Sequence, residues 1–297
     1  MISKPTFGTP LKNYDASEVL LFLLLSVACS VGVYLVFRIA SDRHLEHIWV
    51  VAWNYPVCAF LGGVVLWIQG GFSRLPVQPW FWIAVLVLGG MFIGMFWVAG
   101  KHTQHFGAGA TALVSRLSLV IPVTYSAWVY RDPFHWNHAL GIALALAAIY
   151  MHTISDSKKI EFRPVVRWSG LPLLLFIGFG INDVIVKTVQ QEQLADTSGL
   201  FFVSMVFMAS MGWSIPLLYS RKDRSLEGWR PAWGPGMLLG FFNFGGFYFF
   251  VRALQDPRLP GTSIFPLNSV LIVTLTILAG RFFFKEPLQR PQQIGLI

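Results

Sequence analysis

A polytopic bundle of membrane-spanning α-helices is the fold class this sequence predicts, and three observations predict it. Only 12% of the 297 residues are charged and 55% are apolar, whereas a soluble domain carries about 25% charged residues to wet its surface. The apolar residues are gathered in blocks of about twenty, the length that crosses a hydrocarbon core about 30 Å thick. Within each block the hydrophobicity is continuous rather than alternating every second residue, which excludes a transmembrane barrel. A secreted disulfide scaffold is excluded as well, because Cys29 and Cys58 are the only cysteines and both lie in apolar runs. The 22 lysines and arginines against 14 acids do not indicate a nucleic-acid partner, since such an excess on a membrane protein belongs to short cytoplasmic loops.

The elements follow in order. The first span is read at Ser17 to Ile39; its apolar run from Val19 to Phe37 exceeds the core of about 7 to 15 residues of a cleaved signal peptide, so it is expected to be retained. Ser26-Val27-Ala28-Cys29 looks like a lipoprotein cleavage site, but the apolar run continues past Cys29, which favours an ordinary helix cysteine. Further spans are expected at Ile48 to Ile68, Trp80 to Ala99, Gly107 to Val129, Trp136 to Ile154, Leu171 to Val189, Gly199 to Tyr219, Trp233 to Ala253 and Ser263 to Phe283. Trp49, Trp80, Trp82, Trp168 and Trp233 mark span boundaries, where an amphipathic ring prefers the headgroup level. The charged stretches Lys158 to Arg167 and Arg221 to Arg230 are loops too short to be domains.

The spans form two copies of one pattern. Tyr130-Arg131-Asp132-Pro133-Phe134 follows the fourth span and Phe284-Lys285-Glu286-Pro287-Leu288 the ninth, each with Gly-Ile or Gly-Leu downstream (Gly141, Ile142; Gly295, Leu296). The first span of each copy ends in a base (Arg38; Lys187), and the third is glycine-rich (Gly89, Gly90, Gly94; Gly240, Gly245, Gly246). An odd number of helices per unit makes the second copy enter the membrane from the opposite side, an inverted 5+5 repeat. The expected organisation is a first five-helix repeat at 1–155, a loop at 156–168 and a second repeat at 169–297. By the same alignment Pro291 to Ile297 is the opening of a tenth helix, and the chain is expected to be truncated within it.

The residues that carry a family resemblance are Gly107-Ala108-Gly109-Ala110 with Arg116-Leu117-Ser118-Leu119, the acid-proline junctions at Asp132 and Glu286, and Gly180-Ile181-Asn182-Asp183 running to Lys187. On these the chain resembles the EamA-like branch of the drug/metabolite transporter superfamily over essentially its whole length. The resemblance implies ten helices in two inverted bundles around a central cavity, and secondary transport of a small solute. It also implies cytoplasmic termini, whereas the distribution of lysine and arginine, dense at 158–167 and 221–230, would face the termini outward; orientation stays open between the two.

Ionisable residues inside a span cost about 2.5 to 3.5 kcal/mol at the helix centre and so need a partner, a hydrated cavity or a function. Arg116 lies nine residues into its span. It is read either as an anchor gripping a carboxylate or phosphate with two parallel hydrogen bonds or as the partner of Asp183 in a buried ion pair. Asp183 and Lys187 share a helix face, can pair along it and are the candidate coupling residues: burial and a nearby cation pull the Asp183 carboxyl in opposite directions, which could support proton coupling, and Lys187, near the helix end, is expected to snorkel towards the interface. The competing reading is a structural Asp183 paired with Arg116 or Lys187. Among the amides, Asn243, Asn268 and Asn182 are candidate cavity-lining groups, and Asn54 is read as a packing residue. The glycine clusters are read as close helix contacts, and Pro56, Pro122, Pro216 and Pro266 as kinks or breaks. Three His-x-x-His pairs, His44/His47, His102/His105 and His135/His138, lack a thiolate or carboxylate in a tight motif and are read as solvated loop residues rather than metal ligands.

A permease moving a small polar or amphipathic metabolite by alternating access, with a proton as candidate coupling ion, is therefore the leading expectation. The bilayer is its environment; no metal, cofactor or nucleic acid is expected, and no enzymatic activity. A non-transporting receptor or assembly protein is the competing reading, followed by a membrane enzyme or a metal transporter. Neither substrate nor oligomeric state is written in the sequence.

Overall fold

The computed structural model describes residues 16–68, 78–130, 136, 140, 170–193, 199–219, 228–254 and 261–285. They form α1 (Ala16–Asp42), α2 (His47–Ile68), α3 (Pro79–Leu117), α4 (Val120–Val129), α5 (Gly170–Gln193), α6 (Gly199–Tyr219), α7 (Trp229–Leu254) and α8 (Gly261–Phe284). Among the described residues there is no strand, and 7 helical stretches are long and apolar enough to cross a membrane. The expected spans correspond to these helices apart from Trp136 to Ile154, most of which lies outside the described residues, as do the 156–168 loop and the start of a tenth helix.

The third and fourth spans are not separated by a loop, as the sequence suggested. Helix runs through Lys101 to Phe106 and turns at Gly107, whose φ of 85° and ψ of 167° lie outside helical space. The stretch Pro79–Val129 is 51 residues long, more than twice the ~20 residues of one crossing, and it folds back on itself. His102 Nδ1 lies 2.8 Å from Thr111 Oγ1, and the Thr103 hydroxyl donates to Thr111 Oγ1 at 3.0 Å. Residues eight or nine apart on a straight helix would be separated by roughly 12 to 14 Å, so these bonds require an elbow.

Of the prolines, only Pro122 coincides with a break. It has no N–H to offer the Ser118 carbonyl, which accepts instead from Ile121 N at 2.9 Å, and a turn at Ser118 and Leu119 separates α3 from α4. Pro56, Pro216 and Pro266 sit inside helices that are not interrupted at them, which leaves a bend as the remaining form of that expectation.

Packing follows the small residues. A Cβ on Gly89 would come within 2.9 Å of the α6 backbone, and one on Gly240 within 2.6 Å of the Asn54 carbonyl of α2; only glycine permits these approaches. The largest buried cluster joins α2, α3, α6 and α7 through Tyr55, Phe81, Phe202, Phe207 and Leu239. Smaller clusters tie α1 to α3 and α8, and α1 to α7 and α8. Helix α1 packs along α7 while α5 packs along α3, and α2 meets α7 while α6 meets α3.

Candidate functional site

A cavity of about 110 Å³ lies where α1, α3, α5, α7 and α8 converge. A single water needs about 10 to 15 Å³ of such space, so the cavity admits several waters or a small solute. Arg116, Asn182, Asp183, Asn243 and Asn268 all line it. Residues far apart in sequence are thus brought together from four helices. Arg116 stands nine residues beyond the Gly107 elbow, roughly 14 Å along the helix and about halfway through a 30 Å hydrocarbon core.

The polar groups are incompletely satisfied by protein. Arg116 Nε, Asn182 Oδ1 and Asn268 Oδ1 are buried without a hydrogen-bond partner among the described residues. Arg116 and Asp183 are close enough to interact electrostatically, but no ion pair closes between them; of the two readings of Arg116, the buried ion pair is not formed in this conformation. Asn243 is held from behind, its Nδ2 donating to Asn54 Oδ1 at 3.1 Å, so Asn54 has the packing contact read for it and Asn243 both packs and lines the cavity. Lys187 is 7% exposed on α5, which continues to Gln193, and it is not among the cavity-lining side chains.

Three lining residues that sequence reasoning passed over are Ser26, Ser30 and Tyr34. They are spaced four apart on α1 and form one polar stripe on an otherwise apolar helix, a periodic signal that could have found them. The Tyr34 hydroxyl and Ser115 Oγ are 2.5 Å apart, which ties α1 to the helical turn that carries Arg116. The remaining walls are phenyl rings, among them Phe92, Phe96, Phe179 and Phe247.

The described histidines of the three pairs depart in part from the solvated-loop reading, and His135 and His138 lie outside the described residues. His47 and His102 are buried and hydrogen-bonded to Ser41 and Thr111, while His44 and His105 are exposed. Among the described residues no group of three or more His, Cys, Asp or Glu side chains is placed to hold a metal ion.

Residues 17–154 match the EamA-like transporter family, a family of membrane transporters in the drug/metabolite superfamily. An uncharacterized protein of Haemophilus influenzae is 22% identical over 282 residues, covering 93% of each chain. A solved crystal structure of a protein 16% identical in sequence superimposes with a TM-score of 0.63 over 95% of this chain and 93% of its own, which relates the folds.

Proposed function

Taking as premise that residues 17–154 belong to the EamA-like transporter family, we propose that the protein is a permease that carries a small anionic or zwitterionic metabolite through the central cavity. One observation carries the reading: three buried polar atoms of cavity-lining residues, Arg116 Nε, Asn182 Oδ1 and Asn268 Oδ1, have no partner among the described residues. Each costs about 1 to 3 kcal/mol when left unpaired, a cost that a bound solute or water offsets. The guanidinium supplies parallel donors to a carboxylate or phosphate, the amides and Asp183 offer acceptors for an ammonium or hydroxyl, and the phenyl walls accept an apolar remainder.

Asp183, which lines the same cavity as Arg116, is the residue to take up or release a proton as the two halves rock. An inverted repeat supports alternating access, and the helix contacts are consistent with one. Exchanging the two expected five-helix units turns the α1–α7 contact into α5 with the first part of α3, and the α2–α7 contact into α6 with that same part; Gly178 of α5 lies against Met95, and Gly89 lies against Ala209 of α6.

The test is uptake by proteoliposomes under an imposed pH gradient, preceded by a thermal-shift screen of metabolites against the purified protein. Saturable uptake lost in Arg116→Ala is the expected result. Uptake by Arg116→Ala at the wild-type rate would remove the guanidinium from the mechanism.

A further inference from the structure

We propose that the seam between α1 and α3, made by Phe37, Phe96 and the Tyr34–Ser115 hydrogen bond, is a closed gate, and that in this state the cavity opens to the opposite face between α5 and the α7–α8 pair. The proposal rests on the permease reading above.

The closed side has two layers of side chains. Phe37 and Phe96 both line the cavity, their ring centroids 5.8 Å apart. Behind them Phe37 meets His47 edge-on at 6.1 Å, and His47 is 4% exposed. Ser41 Oγ donates to the Phe37 carbonyl at 2.9 Å and lies 3.2 Å from His47 Nε2. A Cβ on Gly100 would fall 2.8 Å from the His47 ring, so α3 closes directly onto the start of α2. These contacts sit at the face where α1 ends and α2 begins. Lateral closure comes from Tyr34 and Ser115, which join α1 to the segment bearing Arg116.

The other side lacks a matching closure. Helix α5 packs on α3 and α4, and α7 and α8 pack on α1, but among the described residues α5 forms no comparable seam with α7 or α8. Asn182 and Asp183 on α5 and Asn268 on α8 line the cavity from the two sides of that gap. In an inverted repeat α5 is the counterpart of α1, and α7 and α8 are the counterparts of the two arms of α3. One seam shut and its counterpart parted is the asymmetry of a carrier resting in one of two states.

Labelling of a single cysteine tests this. Ser30→Cys, a cavity-lining position, is introduced with Cys29→Ser and Cys58→Ser, and the reconstituted protein is treated with a membrane-impermeant maleimide from each face. Exposed reporters, Arg43→Cys on the face where α1 ends and Gln78→Cys on the opposite face, identify the sides. The expected result is labelling from the Gln78 face, at least about tenfold slower from the Arg43 face, with Phe37→Ala plus Phe96→Ala raising the slow rate. Tyr34→Phe, which removes one hydroxyl, raises it too and guards against a misfolded double variant. Equal or faster labelling from the Arg43 face, labelling from neither face, or rates unmoved by these substitutions would overturn the gate. Labelling needs no solute, so failure of the permease reading, seen as absent uptake, is detected separately.

Discussion

Gly107→Ala probes the feature on which the position of Arg116 depends, the elbow that folds the long α3–α4 stretch back through the membrane. At φ 85° and ψ 167° the backbone occupies a region essentially restricted to glycine, and holding another residue there costs about 1 to 3 kcal/mol. If the backbone relaxes towards helical angles instead, the His102–Thr111 and Thr103–Thr111 hydrogen bonds across the elbow are lost, at about 0.5 to 1.5 kcal/mol each. Either route gives a loss of about 1 to 3 kcal/mol. Gly94 is the control: it is helical, nothing lies within 4 Å of a Cβ built on it, and alanine there gains about 0.5 to 1 kcal/mol. Denaturant unfolding in mixed micelles, followed by tryptophan fluorescence, should therefore move in opposite directions for the two variants. A Gly107→Ala protein as stable as Gly94→Ala would refute the elbow.

Asn182→Leu and Asn268→Leu each remove a buried acceptor that has no partner among the described residues; stability is expected to hold or rise by up to about 1 to 3 kcal/mol, while solute-dependent thermal stabilisation falls. Loss of stability without loss of solute response would reverse that assignment. Gly240→Ala places a methyl 2.6 Å from the Asn54 carbonyl oxygen, and such overpacking should cost about 1 to 3 kcal/mol, measured by the same unfolding titration; a neutral result would mean that α2 and α7 are less closely seated. A double-mutant cycle over Asn54→Leu and Asn243→Leu should give a coupling near 0.6 kcal/mol, typical of interhelical hydrogen bonds in membranes, and zero coupling would contradict the 3.1 Å contact.

The helical fold was legible because lipid imposes length and continuity: span limits such as Gly199 and Tyr219 are helix limits in the structure. What the hydropathy pattern does not convey is that the short polar stretch between the third and fourth spans is helix folded at one glycine. Lys101, His102 and His105 read as loop, yet Gly107 alone makes the turn, and His102 is buried by bonding across it. The cavity residues were legible where a polar group is rare for its surroundings, as with Arg116, Asp183 and the three cavity asparagines. Ser26, Ser30 and Tyr34 escaped because serine and tyrosine are unremarkable one at a time in a membrane helix, and only their spacing of four marks a face. The end of α5 was less legible, because the helix continues past Val189 to Gln193 and the polar residues 190–193 gave no sign of that.

The central claim is that a guanidinium midway through the bundle binds the transported solute. Its most direct measurement is concentration-dependent uptake by reconstituted wild-type protein and Arg116→Ala, with both shown to be folded by size-exclusion chromatography. Saturable uptake by the wild type and none above empty liposomes by the variant is the predicted result; equal uptake by both, or by neither across a broad set of carboxylates, phosphates and zwitterions, would contradict it.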